Sequence, residues 1–290
     1  MSNTLTRSIV ILAFLTSCQL LANPLVEVIK DGKAWINWNC HIVKAVGNAA
    51  LPGDSEDLVK ATEVAYSAAV IDAQRNLSLA VQALRVNNET YIRDFVSRSS
   101  EARCKLERLI NSAQIVSEKQ LGDRSFEVIL QLPLTGEKGV IATFKQELFP
   151  KNDSKASSIQ LGTISLIIDA IRLGIKPCIF PRIYTENGKE VYSINLVSPE
   201  IAISKGIAMY WTDIQNAKKS LTSNSKPLIV KALRKRPDSS TDIVISNKDV
   251  ALLRQVNEIT NLSEQCNVSI IVRDISANSS KNSFNRGVSR

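Results

Sequence analysis

The residues able to do chemistry are few, and their spacing does not bring them together. The chain has one histidine, His41, within WINWNCHIVKAV (35–46), a segment that reads as a strand. A single imidazole supports neither a zinc site nor a nucleophile–base–acid triad unless distant residues converge on it, so a packed strand histidine is expected. The sequence holds no GxxxxGK followed by Ser or Thr, no GxGxxG and no GxSxG. Those absences remove the phosphate loop, the dinucleotide fingerprint and the nucleophile elbow. Glu63 with Asp72, and Glu186 with Glu190, are carboxylate pairs by spacing alone, and solvated charge is the expectation for both. The reading is a non-enzymatic chain that uses no cofactor and no metal; a hydrolase with a hidden carboxylate or serine site is the weakest alternative.

The N-terminus carries an address. Met1 to Arg7 has one positive side chain and no acid, Ser8 to Leu15 (SIVILAFL) is apolar, and small Thr16 and Ser17 follow. That order is a secretory signal, and the apolar run is far below the roughly 20 residues of a spanning helix. Residues 1–22 are read as signal peptide, cut before Cys18 or after Ala22. Leu15-Thr16-Ser17-Cys18 is similar to a lipobox, which makes Cys18 the candidate lipidation site, and Gln19 after it suits the outer membrane. Four further cysteines, Cys40, Cys104, Cys178 and Cys266, match no zinc or CxxC spacing. In an oxidising compartment they allow two disulfides, Cys40–Cys104 and Cys178–Cys266 if each half closes its own; buried thiols are the open alternative.

The net charge is +8 with a pI near 9.3. The one dense basic cluster, Lys231, Arg234, Lys235 and Arg236, has no interleaved aromatics and belongs to no nucleic-acid module, so no nucleic-acid partner is expected. It reads as a solvated loop, with a binding patch for an acidic ligand as the alternative.

These segments need a scaffold. Ser55 or Asp54 is placed to cap a long helix running to about Leu84, with a small face at Ala61, Ala65, Ala68, Ala69, Ala73 and Ala80 and with Asp72 and Arg75 close enough to pair. Tyr91 to Val96 alternates like a strand, Glu101 to Ser112 suits a helix or a strand, and 113–120 with 125–132 reads as a hairpin. Strands are also expected at 163–168, 178–184, 191–196, 228–233, 242–245 and 268–272, with a helix over 248–262. Asn187-Gly188 marks a turn. Trp35 and Trp38, three apart in one strand, would face opposite sides. The fold class is α+β: a long helix packed on an antiparallel sheet over 23–149, then a second mixed α/β or α+β domain over 159–275. A polar boundary lies near 149–158 and a disordered tail spans 276–290.

Ala65 to Asp94 (AYSAAVIDAQRNLSLAVQALRVNNETYIRD) resembles the helix of flagellar assembly protein P lipoproteins and of the N-terminal domain of flagellar assembly protein T. Ala68, Ala69, Asp72, Ala73, Arg75, Asn76, Leu77, Arg85, Val86 and Thr90 carry the likeness, with Val43 to Gly47 before them. Leu166 to Tyr192 looks like the segment that follows in lipoprotein relatives, through Asp169, Pro177, Pro181, Gly188 and Tyr192. The resemblance implies an envelope structural or assembly protein on the periplasmic side, associated with the outer membrane. Its partners would be copies of itself and other envelope proteins, in a flagellar or another machine. A periplasmic binding module for an acidic ligand is the alternative.

Overall fold

The computed structural model describes residues 24–29, 31–51, 58–121, 125–149, 165–221, 227–260 and 267–275. The signal segment, Cys18, the expected helix cap at 54–55, the 150–158 boundary, Cys266 and the 276–290 tail lie outside them.

The first sheet is antiparallel, in the order β1-β2-β3-β5-β4. Its strands are β1 (Val26–Ile29), β2 (Ala34–Asn37), β3 (Ile42–Ala50), β4 (Gln114–Leu121) and β5 (Ser125–Pro133). Across one face lies the long helix α1 (Leu58–Gln82), held by Ala61, Ala65, Ala69, Ala73, Leu77 and Ala80, all buried. Small residues at i, i+4 spacing let helix and sheet backbones approach closely. Gly47 sits at the tightest point, where a Cβ would run into Ala69 O and Ala73 N and lie 2.7 Å from Ala73 Cα. Two short helices, α2 (Ile92–Arg98) and α3 (Ser100–Asn111), follow α1. Then α4 (Val140–Thr143) and α5 (Lys145–Leu148) come after β5.

The second part holds two four-stranded sheets. One is wholly parallel, in the order β10-β6-β13-β9, from β6 (Ser165–Asp169), β9 (Met209–Trp211), β10 (Leu228–Lys231) and β13 (Asn267–Ile271). The other, in the order β11-β12-β7-β8, is mixed: β7 (Ile183–Thr185), β8 (Glu190–Tyr192), β11 (Arg234–Lys235) and β12 (Ile243–Ile245). Helices α6 (Pro199–Lys205), α7 (Ile214–Lys219) and α8 (Asn247–Thr260) complete it. The chain is α+β with a second mixed domain. One cluster of buried apolar residues runs through both parts, from Leu25 to Val272.

Several local expectations are corrected. The single strand 35–46 is two strands, because Asn37 Oδ1 accepts from the amides of Asn39 and Cys40 at 3.1 Å each and turns the chain at 38–41. Strand β3 then runs through Gly47 to Ala50. Residues 91–96 are helical rather than extended, since the Asp94 carboxylate accepts from Tyr91 N at 2.7 Å and caps α2. Asp72 does not pair with Arg75 in this fold; its Oδ2 accepts from Asn48 N at 3.2 Å, tying α1 to β3. Ala68 points away from the sheet, exposed.

Candidate functional site: a cleft and open edges

The turn at 38–41 is one of the places where the two parts dock. Trp38 is buried edge-on against Tyr210, with ring centroids 5.8 Å apart, and its Nε1–H donates to Glu27 Oε2 at 3.0 Å. Trp35 stays half-buried on β2, so the two indoles divide as core and rim, the former in a turn. Asn39 Nδ2 donates to Tyr210 O at 2.6 Å, and its Oδ1 accepts from Leu25 N. His41 stands at φ 52° with Nε2 3.1 Å from Ala208 O. A carbonyl only accepts, so that nitrogen carries a proton and donates it to Ala208. Gly206, at φ +78°, leaves the room: a Cβ there would lie 2.8 Å from His41 Cε1.

Burial pushes the His41 pKa below its ordinary 6.5, the Ala208 carbonyl opposing only in part. Below pH 6.5 the unfolded chain therefore binds a proton that the folded chain refuses. Stability present above that pH is lost as acidity rises through the window between the two values. Thermal melts from pH 7.5 to 5 are expected to show Tm falling, and His41→Gln, which keeps a donor and does not titrate, is expected to flatten that fall. An identical decline in both chains would contradict it.

Cys178 lies on the other side of this junction. Its amide donates to Tyr210 Oη at 3.1 Å, Tyr210 Oη–H donates to Cys178 O at 3.0 Å, and Sγ is 3.6 Å from the same oxygen. Burial raises the thiol to about 12, which makes it inert as a nucleophile. Both expected disulfides are corrected. Cys104 is a free, exposed thiol on α3 and Cys178 a free, buried one, so Cys40 is not joined to Cys104 and Cys178 is not joined to Cys266. Cys40 is itself disulfide-bonded, to neither of these free thiols. A pairing by halves fails because Cys104 stands exposed on α3 and Cys178 is packed against Tyr210.

A cleft of about 610 Å³ opens where the exit of α1, the end of α5 and the start of β8 meet, within the usual range for ligand sites. Phe149 and Phe180 form its floor, centroids 5.6 Å apart and tilted by 55°, with Phe95 beside them. Arg182 stands on one wall, donating to Glu89 at 2.8 Å and lying 3.1 Å from Asp242, which is almost wholly buried. Burial works against the guanidinium's charge, but the two carboxylates outweigh it and raise its pKa above the ordinary value. On the opposite wall Glu147 Oε1 accepts from Lys105 at 2.9 Å, while its Oε2 is buried without a hydrogen-bond partner. Glu190 accepts from Ser193 Oγ at 2.6 Å. Glu186, which spacing alone sets beside Glu190, accepts from Asn247 N at 2.9 Å. Sequence spacing could not reveal this cleft, because Arg182 is 93 residues from Glu89 and 60 from Asp242.

Residues 165–274 match the family model described as Treponema pallidum Tp0624, second domain. No curated protein matches the chain. The Tp0624-like stretch begins with the first residue of β6 and takes in the parallel and mixed sheets, so it supplies Phe180, Arg182 and Glu190. Phe95, Glu147 and Phe149 come from outside it. It also contains the basic cluster, which is not a plain loop: Lys231 ends β10 and Arg234 and Lys235 form β11, all exposed at sheet edges, with Arg236 stacked 4.4 Å over Tyr184. Outside the Tp0624-like stretch, β4 is the last strand of the first sheet and stands clear of the core along its length. Ile115, Val116 and Leu121 on it are 42–45% exposed. On α1, exposed Val64, Ala68, Ile71 and Leu79 form an outward apolar stripe.

Proposed function

We propose that the chain is a non-enzymatic bacterial envelope protein, exported and held at the outer membrane through acylated Cys18, that assembles with copies of itself and with other envelope proteins. The observation that carries this is β4. An eight-residue strand that ends its sheet, with no partner on its far side among the described residues and three large apolar side chains in solvent, is a template for pairing with another chain. The apolar stripe on α1 adds a second uncovered surface on the same domain. The residues with nucleophilic or acid–base chemistry support the absence of catalysis: Cys178 is buried against Tyr210, His41 is committed to a carbonyl, and Arg182 is paired twice. The resemblance of Ala65 to Asp94 to flagellar assembly proteins favours a motor-associated setting among envelope machines.

Sedimentation of the purified mature chain over a concentration series is expected to give multiples of its monomer mass. Ile115→Lys with Leu121→Lys, at exposed positions where stability changes stay within about 0.5 kcal/mol, is expected to shift it toward monomer. A chain that stays monomeric at every concentration and captures no envelope partner contradicts the proposal.

A second reading, a module that binds an acidic ligand, is favoured by Lys231, Arg234 and Lys235 lying exposed side by side on open edges. A loss of anion retention in Lys235→Glu with assembly intact would select it.

A further inference from the structure

The mixed sheet carries a projection at one edge and a receptacle at the other. At the β11 edge, Leu233 is 47% exposed between Lys231 and Arg234, an apolar side chain set among bases. At the β8 edge lies the cleft, lined by Phe149 and Phe180 and by Glu147, Glu190 and the doubly paired Arg182. Three strand spacings separate the two edges, roughly 14 Å. Among the described residues the cleft side is short of cations: Lys105 serves both Glu101 and Glu147, Arg182 serves both Glu89 and Asp242, and Glu190 accepts from a hydroxyl. Glu147 also keeps a buried oxygen without a partner. The Phe149–Phe180 pair gives the cleft an apolar surface able to meet an aliphatic side chain.

We infer that the cleft receives the Lys231–Arg236 corner of a second copy, with Leu233 against the phenylalanines and the flanking bases facing Glu190 and Glu147. The inference rests on the assembly reading above and names the contact. A projection and a receptacle on opposite edges of one rigid sheet make a heterologous, head-to-tail interface, which builds a ring or a filament rather than a twofold dimer. A corner of six residues falls below the roughly 1,200 Å² of a standard stable interface, so each contact is weak alone and sensitive to salt.

The test uses the full chain carrying Ile115→Lys and Leu121→Lys, so that pairing through β4 does not contribute. In sedimentation this chain is expected to associate at low salt and dissociate as salt is raised. Arg234→Glu with Lys235→Glu spoils the projection, and Glu190→Lys spoils the receptacle. Asn195→Lys, at an exposed position on the cleft rim, repeats the second test without touching the Glu190–Ser193 contact. Each variant alone is expected to lose association by about tenfold or more. A projection-spoiled and a receptacle-spoiled chain mixed together each retain one sound surface, so they should form one-to-one pairs that grow no further. If the β4-blocked chain stays monomeric, or if the charge variants associate as it does, the corner-to-cleft contact is wrong. Association of the unblocked chain would then leave the assembly reading standing, and its absence would remove both.

Discussion

Gly47→Val is expected to lower the melting temperature more than any other single change in the first domain. The position is in the middle of β3, where a Cβ would enter the backbone of α1 at Ala69 and Ala73. Backbone cannot rotate aside as a side chain can, so helix and sheet must separate, and the alanines that fill that interface lose their contacts. Overpacking costs about 1–3 kcal/mol where neighbours can yield, and here they cannot, so more than about 3 kcal/mol is expected. At roughly 2–4 °C per kcal/mol for chains of this size, Tm should drop by about 10 °C. Gly47→Ala should move it in the same direction by less. Melting followed by circular dichroism decides the matter, and an unchanged Tm for the alanine variant would mean that helix and sheet do not meet at this position.

The second large effect is expected at Arg182. Asp242 is 1% exposed, and Arg182 is its only cationic partner among the described residues. Arg182→Met keeps much of the side-chain volume and strands the carboxylate in the interior. Removing one partner of a buried pair costs about 3–5 kcal/mol, because the remaining charge has neither water nor a counterion. The loss should appear as a lower denaturant midpoint. Asp242→Asn on top of Arg182→Met should recover a large part of it, since the stranded charge is then gone. A double variant that adds the two losses would show that the pair is not coupled.

What the sequence discloses and what it hides divides along the range of the interactions. Helix α1, the β4–β5 hairpin and the Asn187-Gly188 turn are set by neighbours a few residues apart, and their periods and turn residues mark them. The segment Tyr91 to Val96 alternates like a strand, yet one carboxylate, Asp94 on Tyr91 N, fixes it as a helix. Likewise Asn37 breaks an otherwise strand-like run by accepting two amides. In both places a single side-chain hydrogen bond outweighs the intrinsic preference of the run. The cleft is beyond local reading altogether, because its walls come from before 150 and after 179 and become a site only when the sheets pack. The basic cluster was visible as charge, but its place on two open strand edges was not. The cysteines show the same limit: spacing invited a bridge inside each half, whereas Cys104 is a free thiol exposed on α3 and Cys178 a free one buried against Tyr210.

Cross-linking in intact cells, followed by fractionation and detection of the chain, is expected to give a ladder at multiples of the monomer mass in the outer-membrane fraction. The ladder is expected to shorten when β4 carries Ile115→Lys and Leu121→Lys. Recovery of the chain as monomer only, from the cytosol, with Met1 or Ser2 still at its N-terminus, would contradict the proposed function.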